Sequence, residues 1–443
     1  MALLVAGALF MEILDATIIA PAIPAIAASF DVDAIDVNVA ISAYLLTVAI
    51  LIPASGWVAD RFGIRPVFLA AIAMFTLASV GCAVSTSLPM LVGMRVLQGV
   101  GGAMMVPVGR LAVLRSSAKS DLVRAIAVLT WPALVAPVVA PVLGGAMVTF
   151  GSWRWIFFVN IPIGIIGLAL AFRLVRGKPA AVVRPFDWCG LLLLGAGIAI
   201  GLIALEHIRI SGTSWTLVGA GGAVAIVLLA AAGWHLYRAP APLMRLSVLR
   251  VRTLRITVSG GSLYRLVITA VPFLLPLLFQ IDFGWSAFTA GLMVAALFVG
   301  NLTIKPITTP LMRRFGIKRV LLVNGVASVA WFGVLAALQP ETPIVLIAVA
   351  LYISGALRSV GFTAYNSLAF ADVDGDELTH ANTLNATVQE LAAGVGIAVA
   401  ALLLTVLTSF AWTFVTLGAL LAVTLIETLR LPGDAGRHVS DAR

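Results

Sequence analysis

Glu12 and Asp15 stand three positions apart in an apolar run near the start of the chain, and Arg95 stands in another such run. At helical spacing the two acids share one face. A charge at the middle of a bilayer costs ~3 kcal/mol or more, so an ionisable side chain in such a run is a functional candidate by default. With a helical rise of ~1.5 Å per residue, Asp15 lies ~20 Å from the cytoplasmic end of its segment. Arg95 lies ~10 Å below the outer end of its own, which puts both at similar depth in a ~30 Å hydrocarbon core. An acid beside a cation at that depth can work as a proton switch: protonation removes the ion pair and releases the arginine. A static buried pair that fixes helix packing is the competing reading. Asp15 and Arg95 are thus the first choice for proton coupling, with Glu12 behind them.

The elements that carry these residues must be bilayer spans. Hydrophobic residues make up 61% of the 443 positions and charged residues 11%, with a mean hydropathy of +1.11. A soluble domain carries ~25% charge. Spans of ~20 apolar residues can be cut at 2–28, 38–58, 66–86, 88–114, 124–149, 153–174, 188–207, 214–235, 256–280, 286–311, 319–338, 343–369, 381–408 and 410–430. The fold class expected is all-α integral membrane with about fourteen spans. Residues 1–28 read as the first span rather than a signal peptide, because apolar segments continue throughout and no small-residue cleavage site follows a short core.

An even number of spans puts both termini on one side. Of the 28 Lys and Arg, five fall deep inside spans, the loops and span ends on one side hold Arg154 and Arg209, and the remaining twenty-one lie in loops and at span ends on the other side. The positive-inside rule makes that side cytoplasmic. Asp372, Asp374, Asp376 and Glu377 make one cytoplasmic loop acidic, but acids count little in that rule. The net charge of +9 is therefore a topology signal and not a nucleic-acid surface. Cys82 and Cys189 suggest neither a disulfide nor a metal site, and His207, His235, His380 and His438 share no metal spacing. Gly195-Ala196-Gly197 with Gly201 imitates a phosphate loop, but it lies inside an apolar helix and reads as small-residue packing. With no Walker motif, no soluble nucleotide domain and no nucleophile constellation, neither ATP coupling within the chain nor enzymatic chemistry is expected. The expected partners are a small-molecule substrate, protons and the lipid bilayer, with no cofactor beyond the proton gradient.

Phe62-Gly63-Ile64-Arg65 follows span 2 and Phe315-Gly316-Ile317-Lys318 follows span 10. That correspondence pairs spans 1–6 with 9–14. It divides the chain into an N-terminal six-helix bundle (1–174), a linker with two extra helices (175–255), a C-terminal six-helix bundle (256–430) and a cytoplasmic tail (431–443). Two such halves are a transporter architecture, with substrate expected near the midplane at their interface. Gln98, Asn160, Arg265, Arg358 and Glu390 are the candidate cavity residues, and a pair between Arg358 and Glu390 is one arrangement available to them. Lys305 and Arg110 sit near enough to the cytoplasmic ends to snorkel. Five embedded cations (Arg95, Arg110, Arg265, Lys305, Arg358) against three anions (Glu12, Asp15, Glu390) hint at tolerance of anionic or amphiphilic substrates.

Four stretches carry a resemblance to a known family. They are Gly56-Trp57-Val58-Ala59-Asp60-Arg61-Phe62-Gly63-Ile64-Arg65, Arg95-Val96-Leu97-Gln98-Gly99-Val100-Gly101-Gly102-Ala103, Leu14-Asp15-Ala16-Thr17-Ile18-Ile19 with Pro24, and Trp153-Arg154-Trp155-Ile156-Phe157 with Asn160, Pro162 and Gly164. Nearly end to end, the chain resembles the drug:proton antiporters with fourteen spans, the EmrB/QacA type of the major facilitator superfamily, nearest their MdtD-like branch. The antiporter motif of span 5 departs from the usual glycine-rich form. It reads Ala136-Pro137-Val138-Val139-Ala140-Pro141-Val142-Leu143-Gly144-Gly145, and in span 1 Ala20 and Pro21 stand where relatives often have Asn and an unconstrained residue.

The resemblance implies the major facilitator fold, two six-helix bundles plus two linking helices. It implies proton-coupled efflux of drugs or other small organic molecules across the inner membrane, by a monomer. Gly56, Asp60, Arg61, Gly63 and Arg65 would form a cytoplasmic gate. Glycines would serve a tight reversal there, and an acid facing a helix N-terminus would gain ~0.3–1 kcal/mol. Pro137, Pro141, Gly144 and Gly145 would bend and pack span 5. Two rivals stay open: a narrow-specificity exporter of an organic anion or metal chelate, and a facilitator without proton coupling. The motifs themselves do not name the substrate or an accessory protein.

Overall fold

The computed structural model describes residues 1–116, 122–175, 185–208, 214–374 and 377–432, and among them only helices and connecting turns. Lys119, Arg176, Lys178, Arg184, Arg209, Asp376, Arg437, His438 and Arg443 lie outside the described residues. The helices are α1 (Ala2–Ile18), α2 (Ile23–Phe30), α3 (Asn38–Phe62), α4 (Ile64–Ala83), α5 (Leu88–Ser116), α6 (Leu122–Phe150), α7 (Trp155–Phe158), α8 (Asn160–Leu174) and α9 (Trp188–His207). There follow α10 (Trp215–Arg238), α11 (Arg252–Ile256), α12 (Ser262–Leu277), α13 (Ala287–Thr303), α14 (Lys305–Phe315), α15 (Ile317–Ala336), α16 (Ile344–Phe370), α17 (Leu378–Leu407) and α18 (Phe410–Leu429). Twelve stretches of the described residues are long and apolar enough to cross a bilayer, thirteen when α13 and α14 count as one bent span. The expected span at 124–149 falls on α6, where the described apolar stretch is Leu134–Phe150.

Two expected spans are not straight rods. The first is broken between Ile18 and Ile23 by a 3-10 turn over Ala20–Ala22. Pro21 and Pro24 remove two backbone donors there, and the α-helical hydrogen-bond ladder cannot run through. The tenth is broken at Ile304, where α13 and α14 meet at 47°. Pro306 is the second residue of α14 and has no amide proton to donate back toward α13, so the α-helical ladder does not run through. The segment predicted at 256–280 keeps its length but contains two π-turns, Thr257–Gly261 and Leu278–Asp282.

The chain forms two compact units. The first holds residues 1–200, 224–243 and 286–292; the second holds 201–223, 244–285 and 293–443. Each unit repeats the same pairings: α1 packs on α6 as α12 does on α17, α4 on α5 as α15 does on α16, and α4 on α8 as α15 does on α18. In the first unit the core is a seam of aliphatic and aromatic side chains, including Val5, Met11, Val48, Phe68, Phe75 and Met105. The inserted helices differ in kind. Only 17% of the apolar window of α9 and 11% of that of α10 is buried, against 56% for each of the first four spans. Trp215, Leu217, Ile226, Val227, Trp234 and Tyr237 of α10 are all exposed, as expected of side chains facing lipid.

Candidate functional site

Five helices of the first unit bring buried polar groups to one point. Arg95 and Gln98 lie three apart on one face of α5, Ser79 and Cys82 three apart on α4, Asp15 on α1, and Asn160 at the first position of α8; every one of these is 0% exposed. Arg95 Nη1 donates to Asp15 Oδ2 and to Gln98 Oε1 at 2.7 Å. Gln98 Nε2 donates to Asp15 Oδ1 at 2.9 Å and to Ser79 Oγ at 2.8 Å. Asn160 Nδ2 donates to Asp15 Oδ1 at 2.7 Å. The Ser79 hydroxyl donates to the Phe75 carbonyl at 2.8 Å. Arg95 also lies 4.3 Å from the Tyr44 ring centroid, and its Nε donates to the Ala40 carbonyl at 3.4 Å, so α3 closes the site.

The directions of these bonds decide the chemistry. Every group that reaches the Asp15 carboxylate is a donor, one of them a guanidinium; such bonds are about twice as strong as neutral ones. A proton placed on either oxygen would face a donor, so protonation must turn an amide, such as that of Asn160 with its unpartnered Oδ1, or release a donor. The network of donors is rearranged in either case. Arg95 Nη2 is sealed from solvent and has no hydrogen-bond partner among the described residues, so the guanidinium holds a spare donor when the acid lets go. The sequence placed Gln98 and Asn160 in a substrate cavity; the structure places both in this network. Glu12 stands one step away, half-buried. A Cβ on Gly102 would lie 3.2 Å from Tyr44 Oη and 3.4 Å from Glu12 Oε1, so Glu12 adjoins the site across Tyr44.

The gate residues occupy the joint between α3 and α4. Asp60 and Arg61 complete the last turn of α3, and the connection is the single residue Gly63, at φ 92° and ψ 148°. That conformation is open to glycine at little cost. Gly56 needs correction: it lies inside α3, where a Cβ would meet nothing within 4 Å, so no tight reversal requires it. Arg65 Nη2 donates to the Phe172 carbonyl in the last turn of α8 at 3.0 Å, with its guanidinium 4.9 Å from the Phe172 ring centroid. The second unit repeats the device. Gly316 joins α14 to α15 at φ 77° and ψ 149°, and Lys318 Nζ donates to the carbonyls of Leu429, at 3.0 Å, and Leu431 beyond α18. In each case a cation two residues past the glycine caps the C-terminal end of its bundle's last helix, where the helix dipole favours it.

The helix-5 motif residues lie in α6, which stays helical across Pro132, Pro137 and Pro141. A Cβ on Gly144 would collide with the Ile18 carbonyl, where α1 ends, and one on Gly145 with the Ala287 carbonyl. The two glycines thus serve backbone-to-backbone approach. The Trp153-Arg154-Trp155 stretch also has a mechanical role. Arg154 Nη2 donates to the Ser85 carbonyl at 3.1 Å, and its guanidinium covers the Trp153 ring at 4.4 Å.

In the second unit the pairing imagined between Arg358 and Glu390 is not formed. Glu390 Oε1 faces Arg265 Nη2, at 3.9 Å, because α12 and not α16 packs closely along α17. Lys305 does not snorkel to the cytoplasmic end. It opens α14 directly after the helix break, half-buried, with Nζ donating to Thr363 Oγ1 at 3.1 Å. Arg110 is exposed.

Sequence reasoning passed over three partners. Ser79 and Tyr44 were each one polar residue in an apolar run, and the Ala40 carbonyl carries no sequence signal. A fourth omission is Asp187. Its Oδ1 accepts from the Gly190 amide at 2.8 Å and faces His235 Nε2 at 2.7 Å, and its Oδ2 accepts from the Leu243 amide at 2.9 Å. It caps α9 and ties that helix to α10. Burial pushes the Asp187 carboxyl up, but the two amides and the His235 ring outweigh burial and hold it below its ordinary 3.8. An Asp immediately before an apolar run, with a small residue three positions on, is the capping signal that could have found it.

Comparison with known proteins identifies the family. The family model "Major Facilitator Superfamily" matches residues 5–397 and again 257–441. The chain is 35% identical over 468 residues to the putative multidrug resistance protein MdtD of Cronobacter sakazakii, covering 99% of this chain and 96% of that protein. It is also 35% identical to the protein of the same name from Klebsiella pneumoniae, covering 98% and 95%. Among solved structures, the D-xylose-proton symporter shares the fold with a TM-score of 0.70 at 15% identity, covering 98% of each chain. The polytopic helices, the repeated pairings and near full-length similarity converge: the chain belongs to the Major Facilitator Superfamily.

Proposed function

We propose that this multi-pass membrane protein is a secondary active transporter that exports drugs or other small organic molecules from the cytoplasm in exchange for protons. The observation that carries the proton half is the all-donor surround of Asp15, from Arg95, Gln98 and Asn160. Proton binding there must turn an amide or release a donor, and either change reaches the helices that carry these side chains. The substrate half rests on the MdtD relatives, named as multidrug resistance proteins. In this reading 1–174 and 256–430 are the two six-helix bundles and 175–255 the insertion. The protein sits in the inner membrane with both termini cytoplasmic, on the strength of its lysine and arginine distribution, and a single chain is the working unit.

A proton entering down 100 mV supplies ~2.3 kcal/mol, and each pH unit adds ~1.4 kcal/mol, so one or two protons per cycle sustain an outward gradient. The Asp15–Arg95 network is the coupling element, the Gly63 joint with Asp60, Arg61 and Arg65 the gate, and α6 the packing spine through Pro137, Pro141, Gly144 and Gly145. No cofactor enters the cycle. The test is reconstitution in liposomes holding a pH-sensitive dye, with an imposed proton gradient and a panel of drugs and organic anions. Substrate-triggered proton movement in the wild type, lost in Asp15→Asn, is the expected result. Substrate flux with no proton movement in either protein would establish an uncoupled facilitator instead.

A further inference from the structure

We propose that Phe186 and Trp188, at the start of the first inserted helix, are positioning residues for the gate. With Trp57 they form an aromatic clamp that holds the cytoplasmic end of α3 and sets how often the Gly63 joint pivots. The clamp deepens the efflux reading, and its purpose rests on that reading.

The three rings lie against one another. The Trp57 centroid is 4.7 Å from that of Phe186 and 6.3 Å from that of Trp188, and Phe186 and Trp188 are 4.8 Å apart. Phe62, the last residue of α3, adds an edge-on ring 6.3 Å from Trp57. Each spacing falls in the ~4.5–7 Å range where aromatic pairs attract beyond their buried area. Tryptophans near span ends ordinarily serve as separate anchors at the membrane surface; here they pack across two helices. The same two helices also meet deeper in the bilayer. Ile50 stands seven residues before Trp57 and Gly195 seven after Trp188, and a Cβ on Gly195 would lie 3.3 Å from Ile50 Cγ2. α9 therefore runs antiparallel along α3 for about two turns.

The clamp is fastened from behind. Asp187, between Phe186 and Trp188, accepts from the amides of Gly190 and Leu243 and faces His235 of α10. Higher up, a Cβ on Gly197 would lie 2.9 Å from Leu229 of α10. The two rings thus cannot follow α3 without taking α9 and α10 with them. At ~1.5 Å per residue, Trp57 lies ~9 Å from the Gly63 pivot. A swing of ~20° carries it ~3 Å, enough to take a ring pair at 4.7 Å past the ~7 Å limit. Such a pivot either breaks the clamp or drags the inserted pair through lipid, and both oppose it.

Ala59 serves as the reporter. It is buried one turn before the joint, and its carbonyl accepts the Gly63 amide at 2.9 Å. Full-length protein carrying Cys189→Ser and Ala59→Cys, in lipid nanodiscs, is treated with a water-soluble maleimide. The same protein without Ala59→Cys supplies the background from buried Cys82. Trp57→Leu, Phe186→Leu and Trp188→Leu should each speed labelling about threefold or more. Phe186→Tyr keeps the ring and should keep the slow rate. Trp57→Leu combined with Phe186→Leu should be no faster than the faster single variant. Trp234→Leu, which removes an exposed ring of α10 outside the clamp, should leave the rate unchanged. Unchanged labelling in the three Leu variants, multiplied effects in the double variant, or fast labelling in Phe186→Tyr or Trp234→Leu would each overturn the clamp. Liposome exchange, read on protein without Ala59→Cys, separates this result from the efflux reading. If the wild type exchanges substrate for protons while labelling does not respond, efflux stands and the clamp falls. If labelling follows the expected pattern but nothing moves protons, the clamp stands and proton exchange falls.

Discussion

Asn160 and Asp15 are 145 positions apart, yet Asn160 Nδ2 donates to Asp15 Oδ1 at 2.7 Å, where both side chains are fully buried. The bond ties the first turn of α8 to the last turn of α1. Asn160→Leu keeps much of the volume and removes the donor. A hydrogen bond to a charged group contributes about 1.5–3 kcal/mol. The variant should unfold at lower temperature in detergent and transport more slowly per correctly folded molecule. Unchanged unfolding and turnover would show that Arg95 and Gln98 suffice.

The Arg95–Asp15 pair should act as one unit. Removing one partner of a buried pair costs about 3–5 kcal/mol, because the other charge stays behind uncompensated. Arg95→Gln and Asp15→Asn should each destabilise strongly, and the double variant should lose clearly less than the two losses added together. Thermal unfolding of the four proteins supplies the cycle, and simple additivity would mean that the two charges are not coupled.

Gly63→Ala and Gly316→Ala should cost similar amounts, because both glycines hold left-handed φ angles at single-residue joints. The expected strain is of order 1–3 kcal/mol each. Gly56→Ala, inside α3 with open space around it, is the internal control and should be neutral or slightly stabilising. Equal losses at Gly56 and Gly63 in a thermal-unfolding series would contradict the assignment of strain to the joint.

Asp187 sets a pH dependence on the inserted helix pair. Its carboxyl is held below the ordinary 3.8, so the folded state favours the charged form. The stabilisation is complete above the unfolded value and is lost as pH falls through the folded one. Wild type should therefore be more stable than Asp187→Asn at pH 7, and the gap should narrow only in strongly acidic buffer. Melting temperatures of both proteins from pH 7 down to about pH 3 check this; a gap that widens with acid would reverse the sign.

The positions of Asp15 and Arg95 were legible because charge in an apolar run is rare, and helical rise alone fixes its depth. The joints were legible because the Phe-Gly-Ile-cation run occurs twice. What escaped had a common cause. A hydroxyl such as Ser79, or the Tyr44 ring, is ordinary in a span, and only the packing of α3 and α4 on α5 turns it into a partner. Glu390 met Arg265 instead of Arg358 because helix neighbours, not heights along the chain, choose ion pairs. The two broken spans had prolines in plain view, but Pro53 in α3 and Pro132, Pro137 and Pro141 in α6 sit inside helices that stay unbroken, so a proline alone does not mark a break.

The single-residue joints limit how the molecule can move. One residue reaches about 3.8 Å between consecutive Cα atoms, so the end of α3 and the start of α4 have no slack to part. The same holds where α14 meets α15. Sliding one helix of such a pair past the other by even one turn would need ~5.4 Å of extra chain. Each pair can therefore only pivot about its glycine, like the two arms of a hinge, and any step of the transport cycle that separates helices must draw its slack from elsewhere.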